Sequence, residues 1–184
     1  MKIGLILPQG FFNEFEGWPA DRAWQRILTL AQLAQRLGFE SLWTGEHVLA
    51  RWGGTSPAFD CWTLGSALAA AVPRVGIGFI VLNSTFRNPV VTAKAAATLD
   101  AVSGGRLTLG LGAGFIAAEA ESVGVPFVSL AERLQQLEEH FRIVSHLTTY
   151  AHADAPLTFD CERPPDTPSE LAPPFTSTMI VLGR

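Results

Sequence analysis

Apolar and polar positions along this chain follow two periods, and the period switches repeatedly. Short runs at Lys2–Leu7, Glu40–Thr44, Val75–Leu82 and Leu107–Leu111 have strand length, and Val75–Leu82 is nearly all apolar. Near-continuous apolarity is the mark of parallel strands buried on both faces. Between them the spacing becomes helical. Trp24, Ile27, Leu28, Ala31, Ala34 and Leu37 form one stripe, with Pro19 suited to a first helical turn and Gly38 closing the helix. A second helix is predicted over Asp60–Ala71, stopping before Pro73. Asn88 reads as an N-cap with Pro89 at the first helical position, and that helix ends near Ser103-Gly104. A short helix is predicted over Ala117–Ser122. Ser129-Leu130-Ala131-Glu132 is a capping box that opens a long helix striped by Leu130, Leu134, Leu137, Phe141, Val144 and Leu147. The segment 151–175 mixes Pro and Asp without a period and is predicted to be an extended loop. Met179–Leu182, the last apolar run, reads as a fifth strand.

Strand and helix thus alternate about four and a half times, the rhythm of a parallel sheet or barrel. A complete eight-stranded (β/α) barrel takes about 250 residues. The 184 residues here are therefore expected to form a single partial domain over 1–184, an incomplete TIM-type α/β barrel. Composition fits a well-filled core, with 48% hydrophobic and 16% charged residues. The net charge of −4 and the lack of a basic patch argue against a nucleic-acid partner. Cys61 and Cys161 show no metal-ligand spacing, so no metal is predicted, and the pair suits a reducing cytosol. The start MKIGLILPQG is not a signal peptide, and no apolar run reaches the roughly 18 residues of a membrane span. The expectation is a cytoplasmic protein without a membrane partner.

Candidate chemistry collects just past the strands, where α/β proteins usually meet flat ligands. Gly112-Ala113-Gly114 follows the fourth strand as nearly bare backbone. It lets a ligand approach closely, or it packs tightly against a helix. It is not a dinucleotide fingerprint, because the run lacks the GxGxxG order. His47, just past the second strand, has the side chain best suited to acid–base work at neutral pH, with Glu46 placed to orient it; the alternative is a loop histidine making one structural hydrogen bond. Asn83 ends an otherwise apolar strand and needs a partner, either a ligand's polar atoms or a backbone amide. Glu119 reads as a charge at a helix N-terminus. Arg106 reads as structural, capping carbonyls or pairing with a carboxylate. Trp18, Trp43, Trp52 and Trp62 are available to line an apolar pocket, core filling being the better reading for Trp43 and Trp62.

Four segments, in order, resemble the luciferase-like monooxygenase family. They are MKIGLILPQG, AQRLGFESLWTGEHV, VLNSTFRNPVVTAKAAATLDAVSGGRLTLGLGAGF and LAERLQQLEEHFRIVSHL. The LNSTFRNP and GAGF versions are most similar to members that use the deazaflavin coenzyme F-420. The resemblance implies a (β/α) barrel with a deazaflavin or, alternatively, FMN ring at the C-terminal strand ends. It implies hydride transfer or oxygen activation on a small-molecule substrate. It places an acid–His pair at Glu46-His47 near the ring and a non-proline cis peptide at Ile80-Val81 beneath it. Asn83 and Gly112 to Phe115 then line the cofactor, Phe115 standing where relatives carry Trp or another large group. Relatives also carry an acid at the position of Glu119.

The chain departs from the family pattern at Leu182, where a Gly is expected, and strands six to eight with their phosphate-binding loops lie outside it. The expectations are a homodimer or a complementing C-terminal half that completes the barrel. The alternative is a truncated, catalytically inactive remnant or flavin-binding module.

Overall fold

The computed structural model describes residues 2–150 and 179–182. Four strands, β1 (Gly4–Ile6), β2 (Ser41–Thr44), β3 (Gly76–Asn83) and β4 (Leu107–Gly112), lie side by side in chain order, each parallel to the last. The helices α1 (Ala20–Leu37), α2 (Cys61–Ala71) and α3 (Pro89–Ser103) alternate with them, and α4 (Ala117–Ser122) and α5 (Leu130–Tyr150) follow β4. Parallel strands need crossovers of this kind, which is why the two periods alternate. Each predicted element is present within a few residues of its expected bounds. The segment 151–175 lies outside the described residues.

The helix ends follow from local chemistry. Asn88 Oδ1 accepts from the Val90 and Val91 amides at 2.9 and 3.3 Å, with Pro89 at the first position where no amide bond is lost. Asp60 caps α2 by accepting from Thr63 N at 2.7 Å. Ser129 and Glu132 form the reciprocal capping box ahead of α5. Gly38 and Gly104 end α1 and α3 in the left-handed region, at φ 83° and 72°.

The core lies between the sheet and the helices. Ile77, Phe79, Leu109 and Leu111 are buried with Leu64 and Leu68 of α2, Ala96 and Leu99 of α3, and Leu137 and Val144 of α5. Each large side chain so buried contributes about 1.5–3 kcal/mol. The α1 stripe is narrower than its spacing predicts. Ala23, Ile27, Ala31 and Ala34 are buried, while Leu37 in the last turn is exposed, as is Leu130 at the start of α5.

Two strand expectations need correction. The first strand, predicted buried, is uncovered among the described residues, with Ile6 66% exposed. It is the outermost strand on its side of the sheet, so only one flank is paired. The fifth strand, β5 (Met179–Leu182), exists but pairs antiparallel with β4, matching Leu109 to Leu182 and Gly112 to Met179. A uniformly apolar run pairs with an open edge in either direction, so its side-chain pattern does not encode the direction. The architecture remains that of a partial (β/α) barrel. No helix among the described residues is long and apolar enough to cross a membrane.

Candidate functional site

The C-terminal ends of β2, β3 and β4 converge on one cavity of about 240 Å³. Its walls include Glu46 and His47 from the β2 end, Ile80, Val81 and Asn83 from β3, and Gly112, Ala113, Gly114 and Phe115 from the β4 end. Ile116 and Glu119 complete it. The sequence candidates Glu46, His47, Ile80, Val81, Asn83 and Gly112 to Phe115 therefore all lie around this one space.

The β3 wall is a bulge. The Ile80–Val81 peptide is cis, at the place the family resemblance indicates, and the β3–β4 register shifts between Phe79 and Leu82. Glu46 ties this bulge down at two points. Its amide donates to Val81 O at 3.1 Å, and its Oε2 accepts from Asn83 N at 2.7 Å. Its other oxygen, Oε1, accepts from Arg87 Nε at 2.5 Å, and Arg87 Nη2 reaches Asp60 Oδ2 at 3.2 Å. The Glu46 side chain is only 6% exposed. Burial pushes its carboxyl above the ordinary range, opposed by the Arg87 charge and the Asn83 amide. Cys61 adds a thiol to Glu46 and Asp60, with ligand atoms within 4.8 Å of one another. The Arg87 guanidinium already bonds both carboxylates, so the local cation is arginine. Burial pushes the Cys61 thiol up, which makes it inert as a nucleophile at neutral pH.

His47 belongs to a different network. Its Nδ1 lies 3.2 Å from Glu119 Oε2, and the Oε1 of Glu119 accepts from Val48 N at 2.7 Å. The Phe11 ring stacks on the imidazole at 3.3 Å and 6°, and Phe115 meets it edge-on at 6.5 Å. Burial depresses the His47 pKa, and the bond to Glu119 offsets this in part. The ring is therefore neutral at neutral pH. With its Nδ1 proton donated to Glu119, Nε2 carries the lone pair.

This corrects the expected pairing of Glu46 with His47. Glu46 braces the bulge, and Glu119 orients the histidine. Glu119, read as a helix-end charge, is a buried member of the site. Phe11, Gln9 and Arg87 went unread. Gln9 accepts from Gly45 N at 2.9 Å and donates to Gly45 O and Phe59 O, which fixes the turn that presents Glu46 and His47. Asn83 finds the backbone-amide partner, its Oδ1 accepting from Thr85 N at 3.1 Å.

The glycines at the β4 end pack against β3. A Cβ on Gly112 would lie 2.4 Å from Val81 Cγ2, and one on Gly114 would lie 2.8 Å from Asn83 Nδ2. Gly114 also has φ 72°, a conformation that favours glycine. Among the described side chains, Trp18, Trp43 and Trp62 are not part of the cavity walls. Trp62 stacks on Phe79 at 4.7 Å, Trp43 bonds Ser41, and Trp18 packs on Phe15 and Arg22. The side chain of Trp52 lies outside the described residues. Arg106 is structural, as expected, donating to the carbonyls of Ser103, Ala69, Val72 and Val75.

The model of the luciferase-like monooxygenase family matches residues 1–178. The chain belongs to that family. An F420-dependent glucose-6-phosphate dehydrogenase of Amycolatopsis mediterranei is 35% identical to this luciferase-like chain over 127 residues, 67% of the chain and 37% of that protein. A 4-hydroxyprotoasukamycin monooxygenase of Streptomyces nodosus subsp. asukaensis is 33% identical over 134 residues, 72% of the chain and 33% of that protein. Among solved structures, the monooxygenase RslO1 from Streptomyces bottropensis superposes with a TM-score of 0.70 at 30% identity, covering 89% of this chain and 47% of that one. An F420-dependent secondary alcohol dehydrogenase in complex with an F420-acetone adduct gives a TM-score of 0.67 at 23% identity, over 87% of this chain and 45% of that one, and shows the shared fold. The chain spans about a third to just under half the length of these luciferase-like relatives.

Proposed function

We propose that the chain carries the ring-binding part of a flavin- or deazaflavin-dependent oxidoreductase, with coenzyme F-420 favoured over FMN. The observation that carries this reading is the single cavity in which His47, the Ile80–Val81 bulge and the bare backbone of Gly112 to Gly114 meet. The wall chemistry fits a flat heteroaromatic ring. Ile80 and Val81 offer an apolar floor, and Phe115, 60% exposed, offers an aromatic edge. The glycine backbone offers amide and carbonyl groups without side chains in the way. Relatives named for F420 dependence favour the deazaflavin, and the monooxygenases among them support the broader class.

When bound, such a coenzyme supplies hydride transfer or oxygen activation. His47 Nε2 accepts or returns a proton at the cavity wall, because Glu119 holds the tautomer and burial holds the ring neutral. Glu46 keeps the bulge in place through Asn83 and Val81 rather than touching the reacting atoms. Phe11 covers one face of the imidazole and excludes water from it.

The test is a titration of the chain with coenzyme F-420 and, in parallel, with FMN, followed by absorbance and fluorescence. Saturable micromolar binding of F-420 is expected. Phe115→Ala, at an exposed position, should weaken it several-fold without lowering the melting temperature. Absence of saturable change with both coenzymes would overturn the proposal, and saturation by FMN alone would reverse the cofactor preference.

A further inference from the structure

The backbone ladder between β1 and β2 ends at Leu7, whose amide donates to Trp43 O at 2.9 Å. The next rung of a parallel pair would engage both backbone groups of Gly45, two residues beyond Trp43. A side chain forms that rung instead. Gln9 Oε1 accepts from Gly45 N at 2.9 Å, and Gln9 Nε2 donates to Gly45 O at 2.6 Å. Nε2 also donates to Phe59 O at 2.9 Å, and Phe59 N returns a bond to Gln9 O at 2.9 Å. A primary carboxamide offers two donors and an acceptor in one plane. Gln9, buried past the end of β1, uses all three.

Both rings of the His47 stack hang on this clamp. Gly45 stands two residues before His47, and Phe11 stands two residues after Gln9. The Phe11 ring lies 3.3 Å from the imidazole at an interplanar angle of 6°. Gly45 also lies close against the β3 bulge, where a Cβ on it would meet Ile80 O at 3.0 Å. The next amide along, that of Glu46, bonds Val81 O at 3.1 Å. One carboxamide therefore ties the end of β1, the turn after β2 and the loop before α2 together, and that turn rests on the floor of the cavity.

We infer that Gln9 is a positioning residue of the ring cavity, its carboxamide setting the depth and tilt at which His47 meets a bound coenzyme. This rests on the coenzyme reading above. Gln9 is not among the cavity walls, so it acts through Gly45 and Phe11 and not by contact with the coenzyme. Without the clamp the turn loses its rung to β1, and His47 slides off Phe11. A displacement of about 1 Å at a reacting group can cost about 100-fold in rate.

The test is Gln9→Met in the whole chain, which keeps an unbranched side chain and removes all three bonds. The readout is the ring-proton resonances of His47 by NMR, which the stacked Phe11 ring should hold upfield in the wild type. In folded Gln9→Met they should move downfield, toward the values of an unstacked histidine, and F-420 should bind several-fold more weakly. Arg106→Met is the control for lost stability, because it removes side-chain bonds at the opposite, N-terminal end of the strands. It should leave the His47 resonances in place. His47 resonances unmoved by Gln9→Met, or moved equally by Arg106→Met, would overturn the proposal, as would unchanged F-420 affinity in Gln9→Met. A wild-type chain that binds no F-420 would sink the coenzyme reading instead, and the ring resonances would still decide whether Gln9 places His47. A further check needs no variant. Both Gln9 Nε2 protons and the Gly45 amide should exchange slowly with solvent in the wild type, and exchange at the rate of free amides would also overturn the proposal.

Discussion

Replacing Arg87 with Met removes the cation from a buried carboxylate and leaves nearly everything else in place. Glu46 is 6% exposed and Arg87 26%, and their contact is 2.5 Å. With charge centres roughly 4 Å apart and an effective dielectric near 20, the attraction is about 4 kcal/mol. Desolvation of both groups consumes part of that in the folded protein, but deleting one partner strands the other, which typically costs about 3–5 kcal/mol. The Asp60 arm adds at most about 1 kcal/mol, because that carboxylate is 51% exposed. Proton uptake limits the loss. Burial already raises the Glu46 carboxyl, and without Arg87 it rises further, so the variant takes up a proton instead of holding a bare charge. The expected cost is about 2–4 kcal/mol near pH 7.5, read by urea unfolding with tryptophan fluorescence. The folded variant binds more protons than the folded wild type, so the deficit should shrink as the pH falls toward about 5. A double-mutant cycle with Glu46→Gln should give a coupling of at least about 1.5 kcal/mol. A variant within about 0.5 kcal/mol of wild type, or a deficit that grows on acidification, would refute the assignment of Arg87 as the counter-ion that holds Glu46 and the bulge.

Two glycines of β4 separate hard from soft obstruction. A Cβ on Gly110 would meet the Phe79 carbonyl oxygen at 2.4 Å, whereas one on Gly112 would meet the Val81 Cγ2 methyl at the same distance. Gly110→Ala should cost about 2–3 kcal/mol by thermal unfolding and Gly112→Ala visibly less, since a methyl turns aside and a backbone carbonyl does not. Arg106→Met leaves four carbonyls without their donor and should lower stability by about 2–4 kcal/mol, measured by denaturant midpoint. His47 and His140 are both held below their ordinary pKa by burial, so the unfolded chain binds more protons than the folded one as the pH drops below about 6.5. Stability should therefore fall on acidification through that range. His47→Gln and His140→Gln should each flatten the fall, and a wild-type profile rising toward acid would contradict both assignments.

How far the sequence could be read depended on whether a feature is local. The helix bounds came from caps that act over three or four residues: Asn88 with Pro89, Ser129 with Glu132, and the glycines at 38 and 104. The cavity's location was legible because α/β chains expose ligand sites at strand ends, and three such ends carried unusual residues. The direction of β5 was not, because it depends on how the preceding segment delivers the strand. The partner of His47 was also missed, since Glu119 lies 72 residues away and meets it only through the packing of the β4 end against the β2 end.

One signal for that partner was nevertheless present in the spacing. Consecutive side chains leaving a strand project to opposite sides. Glu46 and His47 are consecutive just past the end of β2, and in the structure each has its own partner. The first turns to the β3 side, where Asn83 and Arg87 wait, and the second turns toward the β4 side, where the acid at 119 is the charged residue of the following short helix that reaches it. The division of labour follows from the same alternation. The residue facing the bulge is held by a buried ion pair, and the residue facing the β4 end is held through one ring nitrogen, Nδ1.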